Sequence, residues 1–196
     1  MKRIITIGRL YGAGGGEIGR RVAEALNIEY YDRDMIMKTA MMDPRLDSQM
    51  VLNWEKKPKS KWGLAHTLHE LYNRPVDDNI WNAQKKTIMK MANEESCVIV
   101  GRNANYILEE YDHTLRVFVH AGFNWRVDRM AKLSGMDRDE VASEVKDIDK
   151  SRKKNCEYYT GRPFGDAAGF DLCINTEKLG IDEAVKLILE AVDNIK

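Results

Sequence analysis

The run Ile4-Ile5-Thr6-Ile7-Gly8-Arg9-Leu10-Tyr11-Gly12-Ala13-Gly14-Gly15-Gly16-Glu17-Ile18-Gly19-Arg20-Arg21-Val22-Ala23 constrains this chain more than any other stretch, because a β-branched apolar segment breaks into glycines and resumes with helical periodicity. It reads as strand, loop, helix. Gly12, Gly14, Gly15 and Gly16 let the backbone turn sharply and bring its N–H groups onto an anion, and the positive end of the following helix faces the same point. Gly12, Ala13, Gly14, Gly15, Gly16 and Glu17 are thus the candidate phosphate cradle. The spacing approaches G-x-x-x-x-G-K-[ST], with Gly15 where the lysine belongs and Glu17 near the place of the hydroxyl residue that holds magnesium. A glycine-rich turn that binds nothing is the plainer alternative, yet so many glycines weaken a helix start without a reason such as a ligand.

The 196 residues suit a single α/β domain over 1–196 with a sizeable core. Lys plus Arg and Asp plus Glu number 31 each, so no global field draws the chain to nucleic acid or to a membrane. Cys97, Cys156 and Cys173 form no C-x-x-C pair, which points to a reducing compartment and away from a zinc site; Cys97 and Cys173, in apolar runs, are expected to be inert buried thiols. The N-terminus lacks an apolar stretch of signal-peptide or membrane-span length, so a cytoplasmic, soluble protein is expected.

Strand signals at 4–7, 29–31, 97–100, 115–119 and 171–174 alternate with helical segments at 15–26, 33–42, 76–93, 103–110, 125–132, 137–156 and 181–195. That alternation predicts a parallel sheet of about five strands covered on both faces, with the helix over 181–195 packed on the sheet. The stretch 43–69, with Pro44, Pro58, Gly63 and the Lys56–Lys61 basic cluster, carries no strand signal and reads as an exposed, partly helical insertion. Extended to 43–75, it runs up to the helix expected over 76–93.

Three further groupings carry chemistry. Tyr30-Tyr31-Asp32-Arg33-Asp34 lies at the carboxyl end of the second strand, where ligands of open α/β sheets bind. There Asp32 either accepts from a sugar hydroxyl or simply caps the next helix. Val100-Gly101-Arg102-Asn103 brings an arginine onto a glycine turn at a strand end, suited to phosphate or a base edge, with a surface ion pair as its alternative. Asp149-Lys150-Ser151-Arg152-Lys153-Lys154, followed by Tyr158, Tyr159, Arg162, Pro163 and Phe164, reads either as a lid-like segment over 149–169 that closes on transferring phosphates or as a solvated helix face.

Together these residues resemble the cytidylate kinase-like branch of the P-loop nucleoside monophosphate kinases over nearly the whole length. The resemblance rests on Ile7-Gly8-Arg9 running into Gly12-Ala13-Gly14-Gly15, Tyr31-Asp32-Arg33, Val100-Gly101-Arg102, Asp149-x-x-Arg152 and Phe170-Asp171-Leu172-Cys173-Ile174-Asn175-Thr176. It implies a three-layer α/β/α fold and transfer of the γ-phosphoryl of ATP, with Mg2+, to a nucleoside monophosphate. It puts the insertion over 43–75 on the acceptor side and leaves a homodimer open, while the balanced charge argues against a nucleic-acid or membrane partner. By the same resemblance the glycine loop would hold the ATP phosphates, Asp32 and Arg33 the acceptor's ribose side, and Arg102 and Asn103 the acceptor nucleotide. Asp149 and Arg152 would act at the transferring phosphoryl.

The chain departs from true cytidylate kinases at two places. Gly15 replaces the loop lysine, for which Arg9 or Arg20 is the available substitute, and Asn103 replaces the aspartate after the arginine, adding a donor where only an acceptor stood. Glu17 and Arg21 are spaced to pair with each other. A phosphate-binding protein of this fold without turnover, and a kinase for a non-nucleotide metabolite, are the alternative expectations.

Overall fold

A computed structural model describes residues 2–42 and 78–195. Five parallel strands form one sheet: β1 (Ile4–Arg9), β2 (Glu29–Tyr31), β3 (Cys97–Val100), β4 (Thr114–His120) and β5 (Leu172–Asn175), in the order β2-β3-β1-β4-β5. Central β1 pairs Ile5 with Val98 on one side and Leu115 on the other, and Ile7 with Val100 and Val117. Its residues Ile4–Ile7 are all buried and, apart from Thr6, apolar, because both its faces are covered.

The helices among the described residues are α1 (Gly15–Leu26), α2 (Arg33–Ala40), α3 (Asp78–Glu94), the short α4 (Ala104–Ile107), α5 (Phe123–Ser134), α6 (Arg138–Thr160) and α7 (Thr176–Asp193). Strand side chains alternate between the two faces. Ile5, Ile7, Val98, Val100, Val117 and Val119 pack with Ile18 and Val22 of α1 and Ala184 and Ile188 of α7. Ile4, Cys97 and Ile99 face the other way, onto Ile36, Ile88, Met91 and Leu108. The three-layer α/β/α arrangement expected from the alternating pattern is the one observed.

The expected elements are all present where described, with differences at their ends. The last helix begins at Thr176 rather than 181, and Gly180, at φ +79° and ψ 169°, interrupts it; the apolar periodicity reports only the part after the break. The helix expected over 103–110 is the shorter Ala104–Ile107: Gly101, Arg102 and Asn103, at left-handed φ values of 82°, 59° and 54°, delay its start, and the backbone leaves helical geometry at Leu108, with φ −107° and ψ 23°. The insertion expected over 43–75 lies outside the described residues. Among the described residues no helix is long and apolar enough to cross a membrane.

One expectation is overturned. Cys97 is buried and burial pushes its thiol up to about 12, but Cys173 is exposed. Strand β5 is an edge strand paired only with β4, and Cys173 points to its uncovered side while Ile174 points into the core. Brief treatment of the native protein with a thiol reagent should therefore label Cys173 and spare Cys97 and Cys156, with all three labelled after unfolding. Rapid native labelling of Cys97 would contradict this packing.

Candidate active site

The glycine loop leaves β1 at the centre of the sheet. Gly12 and Gly14 take φ of 80° and 90°, and Gly14 is the N-cap of α1. Having no side chain, it satisfies none of the helix's first N–H groups. The loop is pinned from behind: Thr176 Oγ1, buried at the start of α7, lies 2.9 Å from the Ala13 carbonyl it donates to. The Ile181 side chain fills the space a Cβ at Gly14 would need.

From in front, the loop is held by α5 and α6. The Tyr11 N–H donates to Asp149 Oδ1 at 2.8 Å, the Tyr11 hydroxyl donates to Glu144 Oε1 at 2.6 Å, and Arg126 Nη1 donates to the Tyr11 carbonyl at 2.7 Å. Arg126 and Asp149 form an ion pair of 2.6 Å, and Arg126 Nε donates to the Ala121 carbonyl. Burial, with the Glu144 carboxylate beside it, holds the Tyr11 phenol far above its ordinary value. One turn on from Asp149, Arg152 lies over the Tyr11 ring, 5.6 Å from its centre, and its Nη1 donates to the Arg9 carbonyl at 2.9 Å. Its Nε is buried and has no hydrogen-bond acceptor.

Arg9 explains the missing lysine. A Cβ placed on Gly15 would lie 2.8 Å from Arg9 Cβ and 2.9 Å from its Cγ, and a Cβ on Gly101 would overlap the Arg9 guanidinium. The Arg9 side chain thus runs from the head of α1 to the turn after β3, through the volume in which a residue-15 side chain would begin. Gly15 and Gly101 are small because Arg9 passes them. Arg20, the other candidate cation, is exposed on α1.

Beside this loop lies a cleft lined by Gly8, Arg9, Gly101, Arg102, Asn103, Asn105, Tyr106, Arg152, Asn155, Phe164, Gly165 and Phe170. Three of these residues are arginines and three are asparagines; no carboxylate is among them. The structure therefore brings Arg9, Arg102, Asn103 and Arg152 together from three separate sequence regions. Asp32 and Arg33 do not line it. Asp32 Oδ1 caps α2 by accepting from the N–H groups of Asp34 and Met35 at 2.9 and 3.0 Å, and Arg33 is buried. Within 149–169, Lys150, Lys153 and Lys154 are solvent-exposed helix residues, and Arg162 pairs with Glu109 at 3.0 Å.

Glu17 does not pair with Arg21. Arg21 reaches Asp182 on α7 at 2.8 Å, and Glu17 Oε2 holds Arg129 Nη2 at 2.7 Å. An i,i+4 pair is worth only about 0.2–0.5 kcal/mol, so tertiary partners displace it readily. Arg129 also approaches the Gly12 carbonyl, at 3.4 Å, which sets a guanidinium beside the phosphate cradle. Sequence reasoning missed Arg126, Arg129, Asn105 and Asn155. The available signal was two arginines spaced i,i+3 on the helix after β4.

The model of the cytidylate kinase-like family matches residues 4–178. The cytidylate kinase of Methanocaldococcus jannaschii is 24% identical over 195 residues, spanning 98% of this chain and 99% of its own. Among solved structures, an uncharacterized protein from Eubacterium ventriosum superposes with a TM-score of 0.76 at 27% identity, covering 98% of this chain and 99% of that one. Shikimate kinase from Bacteroides thetaiotaomicron shares the fold at a TM-score of 0.55 and 15% identity, covering 97% and 98%.

The Arg9–Gly15 contact makes a direct prediction. Gly15→Ala should destabilise the protein by about 1–3 kcal/mol in urea unfolding, through overpacking. Most of that cost should vanish in an Arg9→Gly background, and additive effects of the two changes would show that the side chains do not meet.

Proposed function

The chain belongs to the cytidylate kinase-like family, and we propose that it is a cytoplasmic enzyme transferring the γ-phosphoryl of ATP to a nucleoside monophosphate. The observation that carries the reading is the cleft itself, in which three arginines and three amides adjoin an uncapped helix start. Such a lining suits an acceptor that brings its own dianionic phosphate and a hydrogen-bonding base.

The residues fit a nucleoside triphosphate. The left-handed Gly12 and Gly14 and the free head of α1 offer backbone donors, and Arg9 and Arg129 flank them with two cations. Magnesium fits as well, since it takes most of its ligands from phosphate oxygens and water, and Glu17 is the loop's own carboxylate. Among the described residues no cluster of three His, Cys, Asp or Glu would cage a metal without a nucleotide. Bound there, ATP and its metal supply the transferable group and neutralise its charge.

On this reading Arg9 takes over the lysine's work of steadying the β- and γ-phosphates. Arg102 holds the acceptor phosphate. Arg152, whose buried Nε awaits an acceptor, stabilises the charge that spreads over the phosphoryl group in flight. Asp149 acts as a positioning residue: both its oxygens hold protein donors, and it sets Arg152 in place.

The test is ATP consumption across nucleoside monophosphates, shikimate and gluconate. Turnover with a nucleoside monophosphate supports the proposal; turnover only with a hydroxy acid, or ATP binding without turnover on any acceptor, overturns it. In the same assays Arg9→Ala should weaken ATP binding by roughly 1.5–3 kcal/mol, as expected for a charge-assisted contact, and Arg20→Ala far less. The reverse ranking would transfer the role to α1.

Arg152→Ala should leave ATP affinity nearly unchanged and lower kcat by a factor on the order of a thousand, because the contact matters most in the transition state. Lost affinity at constant kcat would make Arg152 a ground-state anchor instead.

A further inference from the structure

Resting on the cleft as a nucleoside monophosphate site, we propose that its base-reading end accepts cytosine and uracil alike, because a reversible pair of amides, Asn103 and Asn155, forms it. Asn103 Nδ2 donates to Asn155 Oδ1 at 3.2 Å, and both residues line the cleft. In this arrangement Asn103 Oδ1 is left as an acceptor and Asn155 Nδ2 as a donor. Turning both amides over keeps their mutual hydrogen bond and exchanges what they present, putting the donor on Asn103 and the acceptor on Asn155.

The two pyrimidines differ by this same exchange. Cytosine offers an exocyclic amine donor next to a ring-nitrogen acceptor; uracil offers a carbonyl acceptor next to a ring N–H donor. One setting of the amide pair complements each base, and the backbone need not move. A carboxylate at position 103 only accepts hydrogen bonds, so it keeps the cytosine amine and repels the uracil carbonyl. Asn103 itself stands in a left-handed conformation, which asparagine tolerates better than most side chains.

Asn105 gives a second and independent pointer to the ligand. It is 5% exposed, lines the same cleft, and its Nδ2 approaches the Tyr106 hydroxyl without making a well-formed hydrogen bond. The hydroxyl of adjacent Tyr106 donates to the Pro163 carbonyl at 3.3 Å. A buried amide donor left without a well-formed hydrogen bond is costly, and a ligand carbonyl relieves that cost. Cytosine and uracil both carry a carbonyl at C2; adenine carries none.

The experiment is calorimetric titration of the full chain with CMP, UMP and AMP, together with turnover in the presence of ATP. CMP and UMP should bind within about tenfold of each other and AMP at least about tenfold more weakly, the range one unpaired buried polar group produces. Asn103→Asp should keep CMP within about threefold and weaken UMP by roughly 10–100-fold.

A wild-type preference for CMP of a hundredfold or more overturns the proposal, as does an unchanged ratio in a folded Asn103→Asp protein. The wild-type ratio decides even if the variant does not fold. ATP binding with no binding of either pyrimidine nucleotide overturns the nucleoside monophosphate reading and this inference with it. Binding of both without phosphoryl transfer supports the base reading and removes only the turnover.

Discussion

Asp149 and Arg126 meet at 2.6 Å with the arginine side chain 6% exposed, and that pair holds the glycine loop against the helices in front of it. Arg126 is compensated three times over, by the Asp149 carboxylate and by the carbonyls of Ala121 and Tyr11, which is what allows a guanidinium to be buried. Asp149 spends its other oxygen on the Tyr11 N–H. One pair of side chains thus joins α5, α6 and the glycine loop. Removing either partner strands the other, at a cost of about 3–5 kcal/mol. Along α6, Arg152 and Asn155 follow Asp149 at successive turns, so fixing Asp149 against the loop also fixes two of the side chains that line the cleft.

Arg9 is the second organising element. Its stem crosses the head of α1 and its guanidinium lies against Gly101, while its carbonyl receives Arg152. Gly15 and Gly101 accordingly belong to one arrangement with Arg9, whose side chain occupies the space that a larger residue at either position would need. The turn after β3 takes its shape in the same place. Three successive left-handed residues, two of them with side chains, store backbone strain where Arg102 and Asn103 enter the cleft.

The strand, loop and helix at the N-terminus were legible because glycine clustering and the switch from period two to period 3.6 are local properties of sequence. The same holds for the parallel sheet: Ile4–Ile7 and Cys97–Val100 are apolar on both faces, as strands covered from two sides must be. Arg9, Arg102, Asn103 and Arg152 could be singled out because each stands beside a glycine turn or within a family motif. Cys173 was misjudged because a strand's edge position depends on sheet order, which alternation alone does not encode.

The sequence by itself determined the sheet, its coverage by helices, the phosphate loop and the family, since these rest on periodicity and on residue types at short spacing. Only the tertiary structure decided which charges meet. Glu17 took Arg129 rather than Arg21, and Asp149 took Arg126 and the Tyr11 N–H. Asn155 came to face Asn103 across 52 residues of sequence. Ion pairs and amide hydrogen bonds are short-ranged contacts between side chains whose separation along the chain is arbitrary, so no local pattern announces them. They form where packed helices bring their partners within about 3 Å.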